Sequence, residues 1–445
     1  MTQLRRELSL FDLTMIAVGS TIGSGIFLTP SLIAHELQAP VWILLAWICG
    51  GLMALSGALT LSELGAMMPE AGGIYVYLTR AYGSLAGFLF GWAYFLVVNT
   101  GGIAALGIAF ATYLSYIAPL GSSGITVAAI AGIVLLTTIN VLGVKVGGVF
   151  SDIFTVLKLA GIAGLIVVGF GWGSSSTTDF VATTGTFPGG VTHAFSLAMV
   201  GVLWSIGGWQ HATFTSAEAK NPQRNLPRAM ILAAVIITLT YVLTVIALLF
   251  LLSPEQMGGS SHPAADAVES VLGSAGGIAI ALAVFISTFG TTGIYTLTAP
   301  RIYYAMATDG LFFRRVAQLH PRYQTPAFAI ILQSAWAILL ILFWGTFENL
   351  ISYVVFTDWI FFAMAGAAVF VLRRKEPDAV RPYRTAGYPL TPLFFVLVSL
   401  WFVLNTFVSR PDEAWAGIAF LALGVPVYFI WKVKQHQESD VRRLL

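Results

Sequence analysis

Charge is what this chain has least of. Of its 445 residues, 22 are Lys or Arg and 20 are Asp or Glu, so 9% are charged, where a soluble domain carries about 25%. That deficit argues strongly against a soluble fold. Cysteine is nearly absent too: Cys49 is the single one, inside the apolar run 41–61. No intramolecular disulfide can therefore form, and no partner subunit can be tethered through an outer loop. The chain contains no His-Glu-x-x-His, P-loop or nucleophile-elbow pattern, which leaves an enzyme or an ATP-driven pump without sequence support. No metal site and no cofactor are expected. Long polar stretches are missing as well, since the longest segments between apolar runs, about 173–190 and 253–273, are short and rich in Gly, Ser and Thr. The basic residues lie scattered in small groups around a net charge of +2, so no nucleic-acid-binding patch is expected.

What the chain does have is apolar residues, 57% of the total, with 45 glycines. Helices satisfy their own backbone polar groups inside lipid, and the repeated apolar runs of 18 residues or more suit helices rather than the short alternating strands of a membrane barrel. The expected fold class is therefore an all-α polytopic membrane protein. Runs fall at about 9–36, 40–66, 83–113, 122–142, 149–172, 191–219, 226–253, 273–306, 326–346, 348–371, 388–408 and 413–433, which makes twelve transmembrane helices. Arg5 and Arg6 precede the first run, and no small-residue cleavage site follows it, so it reads as a span and not as a signal peptide. With both termini placed in the cytoplasm, all the basic residues except Arg410 and the intramembrane Lys158 fall on the inner side, as the positive-inside rule requires. Outer loops hold acids such as Asp179, Glu255, Asp266 and Glu269.

Two spans look interrupted. The first covers 28 residues, about 42 Å of helix against a hydrocarbon core of about 30 Å. At its centre, Gly19-Ser20-Thr21-Ile22-Gly23-Ser24-Gly25 holds three glycines and three hydroxyls. Gly19 and Gly23 could alternatively form a small-xxx-small packing face. The sixth span carries Trp204-Ser205-Ile206-Gly207-Gly208-Trp209-Gln210 near its middle. Glycine-broken segments in corresponding halves point to a transporter site at mid-membrane. Spans one and six lie five crossings apart, so five-span repeats related this way would be inverted. Unwound backbone offers amides to a carboxylate and carbonyls to an ammonium. The donors expected here are the amides of Ser24, Gly25 and Ile26 with the Ser24 hydroxyl, and the acceptors are carbonyls near Thr21, Trp204 and Gly207.

Polar residues inside the spans are few. Lys158 sits about nine residues into span five, roughly 13 Å deep. It either snorkels part of the way out or has a functional partner in the bundle, and Asp152, six residues away, is not on its helical face. Asp358, about ten residues into span ten, is either an ion-pair or capping partner or a titrating site that couples or gates movement. Asn99 either lines a pocket or glues helices together. His193 and His211 flank span six as ordinary polar neighbours. No acid or base lies near the glycine breaks in sequence, which favours a neutral substrate; Asp358, if it faces the pocket, is the one feature that would reverse this in favour of a cation.

The elements Gly23-Ser24-Gly25-Ile26-Phe27, Gly207-Gly208-Trp209 and Glu218-Ala219-Lys220-Asn221-Pro222-Gln223-Arg224-Asn225-Leu226-Pro227-Arg228, with Arg301, Asp309-Gly310 and His320-Pro321 in the inner segment 299–326, resemble the amino acid–polyamine–organocation superfamily. Within it the chain is most similar to the L-type amino acid transporter family, as a bacterial-type member, from span one through about span ten. The resemblance implies alternating access, a 5+5 inverted repeat with discontinuous spans 1 and 6, and two peripheral last spans. On that basis residues 1–172 and 173–371 are the two repeats, and 372–445 the peripheral spans and cytoplasmic tail. It further implies carboxylate binding at Ser24 and Gly25, ammonium binding by carbonyls at Thr21, Trp204 and Gly207, and an aromatic gate at Trp204. Lys158 matches a family lysine whose ammonium takes the place of a sodium ion, between span one carbonyls and span eight hydroxyls. Thr288, Thr291 and Thr292 are the candidate hydroxyls.

The expected function is sodium-independent amino acid transport by alternating access, as an exchanger of small neutral L-amino acids such as alanine, serine, threonine or cysteine. The alternatives are a proton-coupled symporter, a carrier of cationic amino acids or polyamines, and a receptor or channel. Expected partners are an amino acid substrate and membrane lipid. The loop around residues 118–124 has no cysteine, so no disulfide-linked heavy subunit is expected, and the location is a bacterial plasma (inner) membrane.

Overall fold

A computed structural model describes residues 4–173, 187, 189–344 and 347–444. Asp179 and the junction at 345 and 346 lie outside the described residues. Among the described residues the regular secondary structure is all helical, joined by turns and loops, with one isolated parallel bridge between Leu8 and Ala219. The first apolar run forms α1 (Leu10–Thr21) and α2 (Gly25–Leu37), followed by α3 (Pro40–Met67), α4 (Ile74–Tyr82) and α5 (Ser84–Ala93). A π-helical turn (Tyr94–Val98) joins α5 to α6 (Asn99–Ile117), and α7 (Ser122–Val141) and α8 (Val144–Trp172) follow. The sixth run forms α9 (Val191–Ile206), the short α10 (His211–Phe214) and a 3-10 turn (Ser216–Glu218). The remaining helices are α11 (Pro222–Leu251), α12 (Pro254–Gly258), α13 (Pro263–Thr298), α14 (Pro300–Thr308), α15 (Ala327–Trp344), α16 (Phe347–Lys375), α17 (Leu390–Ser409) and α18 (Pro411–Leu444).

Local chemistry sets many of these boundaries. Ser9 and Asp12 cap α1 reciprocally: the Asp12 carboxylate accepts from the Ser9 amide at 2.5 Å, and the Ser9 hydroxyl from the Asp12 amide at 3.3 Å. At Asn221 the backbone turns left-handed (φ 46°, ψ 56°) just before Pro222 opens α11, because Asn tolerates that region and Pro lacks only an amide that a first-turn residue does not use. In α8 the buried residues Ser151, Thr155, Lys158, Ile162 and Leu165 recur every three or four positions, whereas Val149, Ile153, Val156, Leu157 and Val167 are exposed. The polar groups thus face the protein and the aliphatic ones face outward, toward lipid in a membrane.

Among the described residues ten helical segments are long and apolar enough to cross a bilayer, and Val191–Ile206 and Ala327–Phe343 are shorter apolar helices. Between the seventh and eighth apolar runs lies the stretch 253–273. This stretch is helical: Ser253 caps α12 with a reciprocal bond to Gln256, and α13 starts at Pro263 and kinks at Gly273 (φ 70°, ψ −172°). It packs on α2, where the Ser31 hydroxyl donates to the Ser260 carbonyl at 2.7 Å. Glycine and serine conceal these helices because here they form caps and a kink. The two broken runs touch, α2 along α9 and α1 against α10, with α3, α6, α8, α11 and α13 packed around them.

Candidate functional site

Helix α1 ends at Thr21, and the Gly19 carbonyl of its last turn and the Ile22 carbonyl just beyond it point at the buried amino group of Lys158. Lys158 is fully buried, and its Nζ donates to the Gly19 carbonyl at 2.8 Å, the Ile22 carbonyl at 2.7 Å and Thr291 Oγ1 at 2.6 Å. An ammonium has three donors, and each finds an acceptor. The negative end of the α1 dipole adds to the attraction. Since α8 begins at Val144, Lys158 lies fourteen residues along it, about 21 Å by helical rise, deeper than the apolar run alone suggests. Of the three span-eight threonines only Thr291 reaches Lys158. The Thr288 hydroxyl donates to the Val284 carbonyl and the Thr292 hydroxyl to the Thr288 carbonyl, both within α13. Ser287, which its sequence context does not single out, instead donates toward the Ile22 and Gly23 carbonyls at 3.2 Å.

Across the first break lies the second. The Gly208 carbonyl accepts from the Ser20 hydroxyl at 2.8 Å, and Tyr241 donates to the Thr21 and Ser205 carbonyls, both at 3.0 Å. Only glycine fits at two of these positions. A Cβ on Gly208, where φ is +125°, would sit 2.5 Å from the Ser20 carbonyl oxygen, and one on Gly25 would sit 2.6 Å from Ser205 Cα. Among the described residues the amides of Ser24, Gly25 and Ile26 donate to no backbone carbonyl, as expected at a helix start. The half-buried Trp204 lies over them, its Nε1 donating to Ser24 Oγ at 3.4 Å. Thr21 departs from the sequence expectation: its carbonyl already accepts from Gly23 N and from Tyr241, at 2.9 and 3.0 Å, so both lone pairs are engaged. The Gly207 carbonyl accepts no hydrogen bond among the described residues.

A narrow cavity of about 20 Å³ opens beside the second break, lined by Asn99, Trp204, Gly207, Gln210, His211 and Asp358, among others. That volume holds about one water molecule. An amino acid enters only if the walls part. Gln210 Oε1 accepts from the Gly208 amide at 2.8 Å and its Nε2 donates to Tyr94 at 3.2 Å. Asn99 donates to Gln333 Oε1 at 3.0 Å while its Oδ1 has no partner; it both joins helices and lines the cavity. His211 is more than the ordinary neighbour its sequence position suggests: it is buried in the cavity wall, stacked on Tyr295 at 4.3 Å with Nδ1 2.5 Å from Thr298 Oγ1. Asp358 takes the second of the two placements the sequence left open and faces the pocket. An acid does lie at the glycine break, brought there by α16, and no cation pairs with it among the described residues. Proximity to the break in sequence could not reveal it.

Below the second break the chain closes on itself. Glu218 and Arg301 form a buried bidentate pair at 2.8 and 3.0 Å. Arg301 also donates to the Leu297 carbonyl. The Glu218 carbonyl accepts from the amides of Glu7 and Leu8, both at 2.9 Å. This pair ties the N-terminal segment, the end of the broken sixth run and α14 together.

The sequence as a whole matches known proteins. The family model described as amino acid permease matches residues 8–430. The chain belongs to the amino acid permease family. The permease is 31% identical over 435 residues to the serine/threonine exchanger SteT of Bacillus subtilis (strain 168), covering 97% of this chain and 98% of that protein. It is 30% identical to the b(0,+)-type amino acid transporter 1 of Mus musculus, over 97% of this chain and 88% of the relative. With the large neutral amino acids transporter small subunit 2 of Homo sapiens it shares 30% identity, over 99% and 84% respectively. These relatives are transporters and not enzymes, and the permease is a multi-pass membrane protein of the amino acid transporter and exchanger class.

Proposed function

We propose that this permease is a sodium-independent exchanger of small neutral L-amino acids working by alternating access. The observation that carries the reading is Lys158 Nζ seated on two carbonyls of the first break and on Thr291. A resident ammonium there fills the seat that a transported cation would otherwise need, so no sodium gradient is required. The substrate carboxylate is assigned to the amides of Ser24, Gly25 and Ile26 with the Ser24 hydroxyl, and the substrate ammonium to the carbonyls of Gly207 and Trp204. Thr21 joins the ammonium site only if Tyr241 or Gly23 releases its carbonyl. Trp204 serves as the gate over the bound molecule, and Asn99 as part of its side-chain wall. Serine and threonine are the first substrates to test, since the name of the Bacillus relative says that it exchanges them.

The ten long segments and the two shorter apolar helices fit twelve crossings with both termini in the cytoplasm of a bacterial plasma membrane. In this reading residues 1–172 and 173–371 are inverted five-span repeats and 372–445 a peripheral pair, and the protein works without a disulfide-linked subunit. Counterflow of labelled serine in proteoliposomes tests the function. Stimulation by internal serine, with no response to sodium, is expected. Uptake that does not saturate would point to a channel, and accumulation driven by a proton gradient alone would point to symport. Asp358, an acid in the cavity wall, is what favours the second reading, a carrier of protons or of cationic amino acids.

A further inference from the structure

We infer that Asp358 is the side-chain selector of this pocket: its carboxylate takes a proton when a neutral amino acid is bound, and takes the ammonium of a short cationic side chain in the proton's place. The inference rests on the exchange reading for its use in transport, but its core is a binding statement that can be tested alone.

Asp358 is 8% exposed; its carboxylate has Tyr94 as a hydrogen-bonding neighbour, but its Oδ1 has no partner. It lines the same cavity as Gly207 and Trp204. The other titratable groups on that wall are Tyr94 from the π-turn, His211 from α10 and Tyr295 from α13; no Lys or Arg lines it. Three buried or half-buried cations of the bundle are engaged elsewhere. Lys158 has its three acceptors at the first break, and Arg373 and Arg381 are bound to Glu63 of α3 at 2.7 and 3.5 Å. A buried carboxylate with neither cation nor full hydrogen bonding is costly, so the pocket is complete only when something positive or a proton joins it. Gly207, assigned to the α-ammonium, and Asp358 line one small cavity, and a short cationic side chain is the kind that bridges them once its walls part. Trp204 and Trp359 supply apolar walls for its methylenes.

Proton and cation then compete for one site. Raising the pH removes the proton and favours the cation over the neutral ligand, by up to about tenfold per pH unit. Ornithine and norvaline make the test, since they share a carbon skeleton and differ by the terminal ammonium. Ligand-induced thermal stabilisation of the purified wild-type permease in detergent is titrated with each between about pH 6 and 8.5. Ornithine's apparent affinity relative to norvaline's is expected to rise at least about fivefold over that range, and the rise is expected to vanish in Asp358→Asn. Norvaline binding without any ornithine binding in the wild type, or a pH-independent ratio, overturns the inference even if the variant does not fold. An unchanged rise in Asp358→Asn overturns it as well. Counterflow of labelled serine is run in parallel: its absence, beside a pH-dependent preference for ornithine, would sink the exchange reading while the assignment of Asp358 stands.

Discussion

The two sides of the broken-helix centre treat charge in opposite ways. At the first break a buried cation, Lys158, meets three acceptors. At the second a buried acid, Asp358, keeps an oxygen without a partner and no cation pairs with it among the described residues. A satisfied charge holds a structure, and here Lys158 ties α8 and α13 to the end of α1. An unsatisfied charge has a stability cost and persists where a ligand or a proton completes it. The contrast separates the scaffold of the site from its working surface, and charge removal should therefore have opposite consequences on the two sides.

The largest effect is expected at the other satisfied buried charges. Glu218→Ala leaves Arg301 buried and unpaired, which should cost about 3–5 kcal/mol and show as a collapse in thermal stability in detergent. Lys158→Ala strips three charge-assisted hydrogen bonds, each worth about 1.5–3 kcal/mol, from groups that must move during exchange; serine counterflow should drop about a hundredfold, with the protein still expressed. Gly25→Ala forces a methyl against Ser205 Cα, where backbone cannot yield, and should cost about 1–3 kcal/mol, read by the same melting assay. Asp358→Asn breaks the pattern in sign. Removal of a buried carboxylate that has no cation beside it should leave stability unchanged or raise it by about 1 kcal/mol, and a large loss would mean that its contact with Tyr94 is structural. The exposed Arg80–Glu376 pair, at 2.6 Å, sets the baseline: Arg80→Ala should shift stability by less than about 1 kcal/mol.

Much of this arrangement is legible in the amino-acid sequence. The Gly-Ser-Thr cluster and the double glycine mark both breaks, because glycine and hydroxyl residues weaken helices where apolar ones do not. Lys158 stands out as a charge in a run of aliphatics, and its place on the buried stripe Ser151, Thr155, Ile162 follows from helical spacing alone. Other features depend on the rotation of helices, which sequence leaves open. Asp358 is flanked by apolar and aromatic residues on most sides, so no amphipathic pattern says which way α16 turns it. Thr288, Thr291 and Thr292 are so closely spaced that only packing decides which one meets Lys158. Saturation of the Thr21 carbonyl by Tyr241 arises between elements far apart in sequence, and no local signal carries it.

The most direct test of the central claim, that Lys158 occupies a cation seat at the first break, is serine counterflow in proteoliposomes for the wild type and for Lys158→Ala, each with and without sodium. The account predicts wild-type exchange indifferent to sodium and a Lys158→Ala protein that folds but does not exchange in its absence. Full exchange by Lys158→Ala without sodium would contradict it.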